Sequence, residues 1–417
     1  MTPFADLSDR RFWIANEDEI KSASTTDVYF LNTLQVLRKK KINPRVRMEV
    51  YARKLPEEKL WGVVSGIYEV GKLLEGLPIT VQSMDEGEIF QADASSVLYQ
   101  PVLQIEGNYS DFAPYENAIL GTICSSTSVS TKAAHLRLAA GDKSLLSFGT
   151  RRVHPAIAPL VERAAYIGGA DGISNVLAAR MIGQKPVGTM PHSLVLCFGD
   201  AVQAWEGFDQ AMAKDVPRIA LVDTFCDEKT EAILANKTLG DRLDGIRIDT
   251  PSSRRGDLRK IVEEVRWELF LRGRKDIRII VSGGIDEEEI RRLSPFVDGF
   301  GIGTSLSAAP VIDFSAKIVE VKVGTRWNYR AKRGDVAGKK VVWRKQQSFE
   351  DWITVEGRPH PRHCKRLLSP LLVNGRLVKP LKSPSIIRKT VINKIKQLRT
   401  WPPILRSDPR LNKEKNR

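Results

Sequence analysis

The chain has 417 residues, 42% of them hydrophobic and 28% charged, with a formal net charge of +15. At roughly 100–200 residues per domain it should hold two to four domains. Mean hydropathy is -0.24, and no apolar run approaches the ~20 residues that span a bilayer, which argues against a membrane protein. The opening MTPFADLSDRRFW is too polar for a secretory signal. Four scattered cysteines (Cys124, Cys197, Cys226, Cys364) with no CxxC exclude a disulfide scaffold and a cysteine-only zinc ribbon. They suit a reducing cytoplasm.

In chain order, TTDVYFLNTLQVLRKK reads as a helix, with an N-cap candidate at Thr25, Thr26 or Asp27 and a basic end that suits the helix dipole. Residues 44–107 mix an amphipathic helix, EEKLWGVVSGIYEVGKLLEG, with short strands such as ITVQSM and VLQIEG. Residues 112–141 are rich in small side chains and read as one or two helices crossing between domains.

From residue 142 the pattern becomes regular. Seven short segments alternate with helical ones: LLSFGTRR, GGADGISN, KPVGTMPHS, PRIALVDT, LDGIRIDT, IRIIVSGGI and VDGFGIGT. This alternation argues for βα units and a parallel sheet. So many units in so short a stretch fit a small or irregular barrel better than an open doubly wound sheet. After residue 310 come further strands, expected to pack on the N-terminal domain.

Charge then separates the last quarter from the rest. Residues 1–310 carry 38 Lys and Arg against 42 Asp and Glu, whereas residues 311–417 carry 27 against 8. Residues 358–417 hold 17 basic and two acidic side chains, with frequent prolines. That stretch is expected to be loosely structured and dispensable for catalysis. It reads as a contact for an anionic partner (nucleic acid, anionic lipid or an acidic neighbouring subunit) or as a solubilising, partly disordered extension. The expected division is an N-terminal α/β domain over 1–115, a barrel over 116–310, a segment over 311–357 that packs on the N-terminal domain, and a basic tail over 358–417.

In a parallel βα barrel, functional residues gather at the C-terminal ends of strands. The seven segments end in Arg151 and Arg152; Asp171; His192 and Ser193; Asp223; Arg247 and Asp249; Gly283 and Gly284; Gly301, Gly303 and Thr304. The strand bodies are apolar, so polar groups and glycines are segregated to one end. The last two ends place small residues where backbone N–H groups can face an anion, the position of the phosphate site in phosphate-binding barrels. His192 shares the rim with Asp223, which could fix its tautomer and leave one ring nitrogen as base or nucleophile. His135, His154, His360 and His363 lack such a setting. HPRHC (His360–Cys364) has no matching second half, so no zinc is expected.

FGTRR (Phe148–Arg152), GGADGISNV, GTMPHS, LVDTF, IRIDT, SGGI and GIGT occur in the order and spacing of the nicotinate phosphoribosyltransferase family, which the chain resembles over roughly residues 20–345. It is most similar to the shorter archaeal-type members. The resemblance implies a type II phosphoribosyltransferase fold: an irregular seven-stranded parallel α/β barrel, an N-terminal α/β domain and a C-terminal extension. It implies that nicotinate and phosphoribosyl pyrophosphate form nicotinate mononucleotide and pyrophosphate in NAD biosynthesis, with ATP as co-substrate through a phosphohistidine. Mg²⁺ would be bound through pyrophosphate.

Carried over residue by residue, the resemblance makes His192 the phosphorylated histidine and Asp223 its supporting carboxylate. Tyr29 (from a neighbouring subunit), Phe148, Arg151, Thr189 and Arg247 would contact nicotinate. Asp249, Gly283, Gly284, Gly303 and Thr304 would hold phosphoribosyl pyrophosphate. A homodimer or higher even oligomer with shared active sites is implied. Two features depart from the family: Pro191 stands where a small residue usually precedes the histidine, and the C-terminal cysteine cluster of some archaeal members is absent. The rivals are quinolinate phosphoribosyltransferase, which shares the fold without the ATP-coupling histidine, and a non-enzymatic nucleic-acid-binding protein working through its basic tail.

Overall fold

In the computed structural model, which describes residues 12–254, 256–378 and 380–407, the βα alternation after residue 142 forms one parallel sheet. Its strands are β1 (Ser144–Ser147), β2 (Gly172–Ile173), β3 (Ile219–Leu221), β4 (Gly245–Ile248), β5 (Arg278–Ser282) and β6 (Gly299–Ile302). Their order in the sheet is β2-β1-β6-β5-β4-β3, every pairing parallel. Short runs such as Ile279-Ile280-Val281 are buried, as strands covered on both faces require.

The sheet has six strands, which corrects the expected seven-stranded barrel. The third expected segment, KPVGTMPHS, runs as non-strand chain up to Pro191 and makes one backbone bond at its start, from Val187 N–H to the Ile173 carbonyl at 2.9 Å. Pro186 and Pro191 lack an N–H and Gly188 weakens extended pairing, so the segment cannot complete a ladder.

In a second, antiparallel sheet of seven strands, Arg45–Ala52 pairs with the central strand Pro101–Asn108 on one side and with Phe314–Val323 on the other. Towards the sheet's far edge Ser369–Val373 pairs with Thr80–Ser83 and then with the edge strand Arg376–Leu377. The 25-residue helix Glu116–Ala140 (α1) runs between the two cores. Its small residues explain how it packs on so many sides. Thr131 Oγ1 accepts the Val63 N–H at 3.0 Å and Thr127 Oγ1 that of Ser65 at 3.1 Å. A Cβ on Gly168 of the neighbouring helix would stand 2.3 Å from the Ser130 carbonyl.

The expectation of a loose basic tail is overturned over 358–407. Leu367, Leu368, Leu371 and Leu372 join the core under the antiparallel sheet. The helix Pro384–Leu398 buries Ile387, Val391, Ile395 and Leu398 against Trp61, Ile89 and Ile167. Two of its four charges are paired within the chain: Lys394 lies 2.7 Å from Glu88 and Arg388 2.6 Å from Asp171. Glu88 and Asp351 also hold the buried Arg344 at 2.7 and 2.6 Å. The stripe at i, i+4, i+8 and i+11 supplies the burial that overall composition concealed. Residues 408–417 lie outside the described residues, and no described helix is long and apolar enough to cross a membrane.

Candidate active site

A cavity of about 640 Å³ opens at the C-terminal ends of the parallel strands. Phe148, Arg151, Thr189, Arg247 and Asp249 line it, joined by Gly283, Gly284, Gly303 and Thr304. Four of these five separated segments converge because parallel strands all present their C-terminal ends to one side, and the fifth brings Thr189 in from the non-strand chain before His192. Gly301 makes room in the wall: a Cβ there would lie 2.5 Å from the Phe148 ring. Gly283 and Gly284 turn with φ of +85° and +71°, a conformation that suits glycine.

Arg247 and Asp249 stand at the end of β4 on the same side of the strand, two residues apart. Arg247 donates from Nη1 to Thr189 Oγ1 at 2.7 Å and from Nη2 to Asp249 Oδ2 at 3.4 Å. Its Nε is buried with no hydrogen-bond partner among the described residues. Burial lowers the guanidinium's pKa, against the pull of Asp249 and Asp223. A half-satisfied, desolvated guanidinium in a cavity wall is suited to a planar anion.

His192 opens the short helix His192–Phe198 (α2) and is held by the ends of neighbouring strands. Its Nδ1 is 3.1 Å from Thr224 Oγ1, and its Nε2 is 3.7 Å from both Asp223 Oδ1 and Asp249 Oδ2. The latter two separations are ion-pair rather than hydrogen-bond distances. Asp249 foremost, with Asp223 adding, raises the imidazole pKa above its ordinary 6.5 against the opposing effect of burial. The two carboxyls move apart. Burial raises that of Asp223, although its Oδ2 accepts the Asp249 N–H at 2.7 Å and the Thr250 hydroxyl at 2.8 Å. Burial also opposes ionisation of Asp249, but His192, Arg247 and Ser282 outweigh it and hold the group low. Ser282 Oγ donates to Asp249 Oδ1 at 2.7 Å. Opposite shifts on adjacent carboxyls mark a site where protonation states are assigned by environment.

The structure thus brings His192, Asp223, Arg247, Asp249, Thr189, Phe148 and Arg151 together with the glycine turns. Tyr29 is the exception. It lies on the helix Val28–Lys39, 53% exposed, and is not among the residues lining this cavity. Sequence reasoning missed Thr224, Ser282 and Glu162. Thr224 follows Asp223 directly and Ser282 precedes the double glycine, so both were within reach of a strand-end search. Glu162 carried no such signal: it is a fully buried carboxyl on the helix Ala158–Gly168, bonded to the Thr150 hydroxyl at 2.8 Å and raised in pKa by burial.

Comparison with known proteins adds a lineage to this geometry. The sequence models of the quinolinate phosphoribosyl transferase N-terminal and C-terminal domains match residues 27–127 and 129–317. The nicotinate phosphoribosyltransferase pncB1 of Mycobacterium tuberculosis is 31% identical over 376 residues, covering 80% of this chain and 81% of that protein. The crystal structure of nicotinate-nucleotide pyrophosphorylase from Pyrococcus furiosus is 46% identical with a TM-score of 0.89, covering 94% of this chain and 99% of that one. Human nicotinic acid phosphoribosyltransferase shares the fold, with a TM-score of 0.70 at 21% identity over 94% and 99% of the two chains.

Proposed function

Because the chain belongs to the nicotinate phosphoribosyltransferase family, we propose that its cavity joins nicotinate to phosphoribosyl pyrophosphate and couples the reaction to ATP through His192. The observation that carries the reading is the imidazole of His192, held between Thr224 and the carboxyl groups of Asp223 and Asp249, the second of which also accepts from Arg247. Quinolinate transfer, the second reading, is favoured by the matching domain models but gives this imidazole no task.

In this mechanism Arg247, with Arg151 beside it, takes the nicotinate carboxylate, and the Phe148 ring packs on the pyridine. Thr189 fixes the guanidinium plane through its 2.7 Å bond. The turns at Gly283–Gly284 and Gly303–Thr304 receive the 5′-phosphate, with backbone able to approach closely where no Cβ intervenes. The pyridine nitrogen bonds to the anomeric carbon as the bond to pyrophosphate breaks, through an oxocarbenium-like transition state that the Asp249 carboxylate stabilises. Asp249 and Asp286 are the carboxylates of the cavity lining, and their oxygen donors fit a hard cation carried in by the substrate. Mg²⁺ bound to pyrophosphate would neutralise the charge that develops on the leaving group.

For ATP coupling, an unprotonated ring nitrogen of His192 attacks the γ-phosphorus and ADP departs; water later cleaves the phosphohistidine to phosphate and free imidazole. Between those steps the phosphorylated enzyme is biased towards productive binding. Tyr29 enters through assembly. With Val28, Leu31 and Val36 it leaves an apolar helix surface exposed, which supports a two-fold dimer in which this helix reaches the partner's cavity. The four free thiols fit a cytoplasmic setting. Polyanion binding through 358–417 is the weaker reading, since Lys382, Arg388, Lys394 and Arg406 pair with acids of this chain.

A product assay with nicotinate, quinolinate and nicotinamide, each with and without ATP, tests the proposal. The expected result is nicotinate mononucleotide from nicotinate, stimulated by ATP. Turnover of quinolinate with loss of CO₂ and no ATP effect would overturn it.

A further inference from the structure

His192 is poorly anchored by its own helix. Of the seven residues of α2 only Val195 is buried, Leu196 and Phe198 are exposed, and the imidazole itself is 38% exposed. Its orientation must come from its partners. Two of these, Asp223 and Thr224, belong to the loop between β3 and the helix Glu228–Leu239 (α3). That loop is tied down by one side chain. Glu231, on the first turn of α3 and 1% exposed, accepts three consecutive backbone N–H groups: Thr224 at 3.1 Å, Phe225 at 2.7 Å and Cys226 at 3.0 Å. Asp227 caps the same helix through the Thr230 N–H at 2.9 Å, so Glu231 is not needed as the cap. Placing a carboxylate out of water is costly unless its oxygens are satisfied, and here every described bond it makes goes to this loop.

We propose that Glu231 is a positioning residue for His192: it clamps the 224–226 backbone so that the Thr224 hydroxyl holds Nδ1 and Nε2 stays turned to Asp223 and Asp249. The kinetic consequence rests on the reading of His192 as the phosphoryl acceptor; the structural consequence does not. Glu231 is not among the residues that line the cavity, so its loss should act first on the imidazole and leave the nicotinate and phosphoribosyl subsites in place.

The test is Glu231→Gln in the full chain. The amide is isosteric but turns an N–H against a backbone N–H, so one clamp bond becomes a clash. Histidine-labelled protein gives the ring ¹⁵N resonances of His192, assigned through His192→Gln. The expected result is a changed Nδ1 resonance and a titration midpoint shifted towards 6.5, as Asp223, Asp249 and Arg247 lose their fixed distances to the ring. ATP stimulation of product formation should fall about tenfold, the scale of one hydrogen bond to a charged group, while the KM for nicotinate changes less than about threefold. Unchanged His192 resonances in a folded Glu231→Gln protein would overturn the proposal. If wild-type enzyme shows no ATP stimulation, the phosphoryl reading fails and the resonances alone decide the positioning role. If Glu231→Gln does not fold, Thr224→Val decides: it keeps the clamped backbone and removes the hydroxyl, and an unmoved Nδ1 resonance overturns the proposal.

Discussion

Ile386 and Ile387 are adjacent on the helix Pro384–Leu398, yet one is 56% exposed and the other 2%. The Ile387 side chain lies against Gly87, where an added Cβ would come within 2.6 Å of its Cγ2. Truncation to alanine removes three carbons, about 2.4 kcal/mol at ~0.8 kcal/mol each. The cavity left behind brings the expected cost of Ile387→Ala to about 3 kcal/mol. The same truncation at Ile386 removes atoms that face water and should stay within about 0.5 kcal/mol of wild type. Urea unfolding of the two variants and the parent, followed by tryptophan fluorescence, measures the difference. Trp61 shares the core cluster of Ile387 and reports locally. A loose basic tail would give two equally silent substitutions. Ile387→Ala within about 0.5 kcal/mol of wild type would refute the packing argument. By the same reasoning, a chain ending near residue 358 loses two strands of the antiparallel sheet and this helix, so it should fail to fold rather than retain activity.

Three further outcomes follow from the site. His192→Ala should abolish nicotinate-stimulated ATP hydrolysis and leave slow, ATP-independent nucleotide formation; an ATP dependence like that of wild type would remove His192 from the coupling step. Mixing inactive Tyr29→Ala and inactive His192→Ala chains should restore part of the activity in hybrid dimers, and verified heterodimers with none would speak against shared sites. ATP coupling should rise with pH through a midpoint above 6.5, because the neighbouring carboxylates favour the imidazolium and only the deprotonated ring can attack phosphorus. In Asp249→Asn that midpoint should move down, since the first of those carboxylates is gone; a pH–rate profile unmoved by the substitution would show that another group sets it.

Much of the site was legible along the chain. Apolar strand bodies such as Ile279–Val281, followed at once by Ser282-Gly283-Gly284, reveal both a parallel sheet and the end at which polar groups gather. That reading succeeded because period, turn chemistry and burial are local properties. It erred where local signals competed. KPVGTMPHS sits at strand spacing, but its prolines and glycine deny it a ladder. In 384–398 the basic composition hid an apolar stripe that was there to be counted. The remainder was decided by tertiary structure alone. Ser282 and Asp249 are far apart in sequence and meet only because neighbouring strands end together, while Thr189 reaches Arg247 from the non-strand segment before His192. The opposite shifts of Asp223 and Asp249 arise from different burial and different partners, which no spacing encodes. Chemical identity at strand ends belongs to the sequence; distance, desolvation and the clamp of Glu231 on its loop depend on three-dimensional packing, because each is a relation between segments that chain order leaves free.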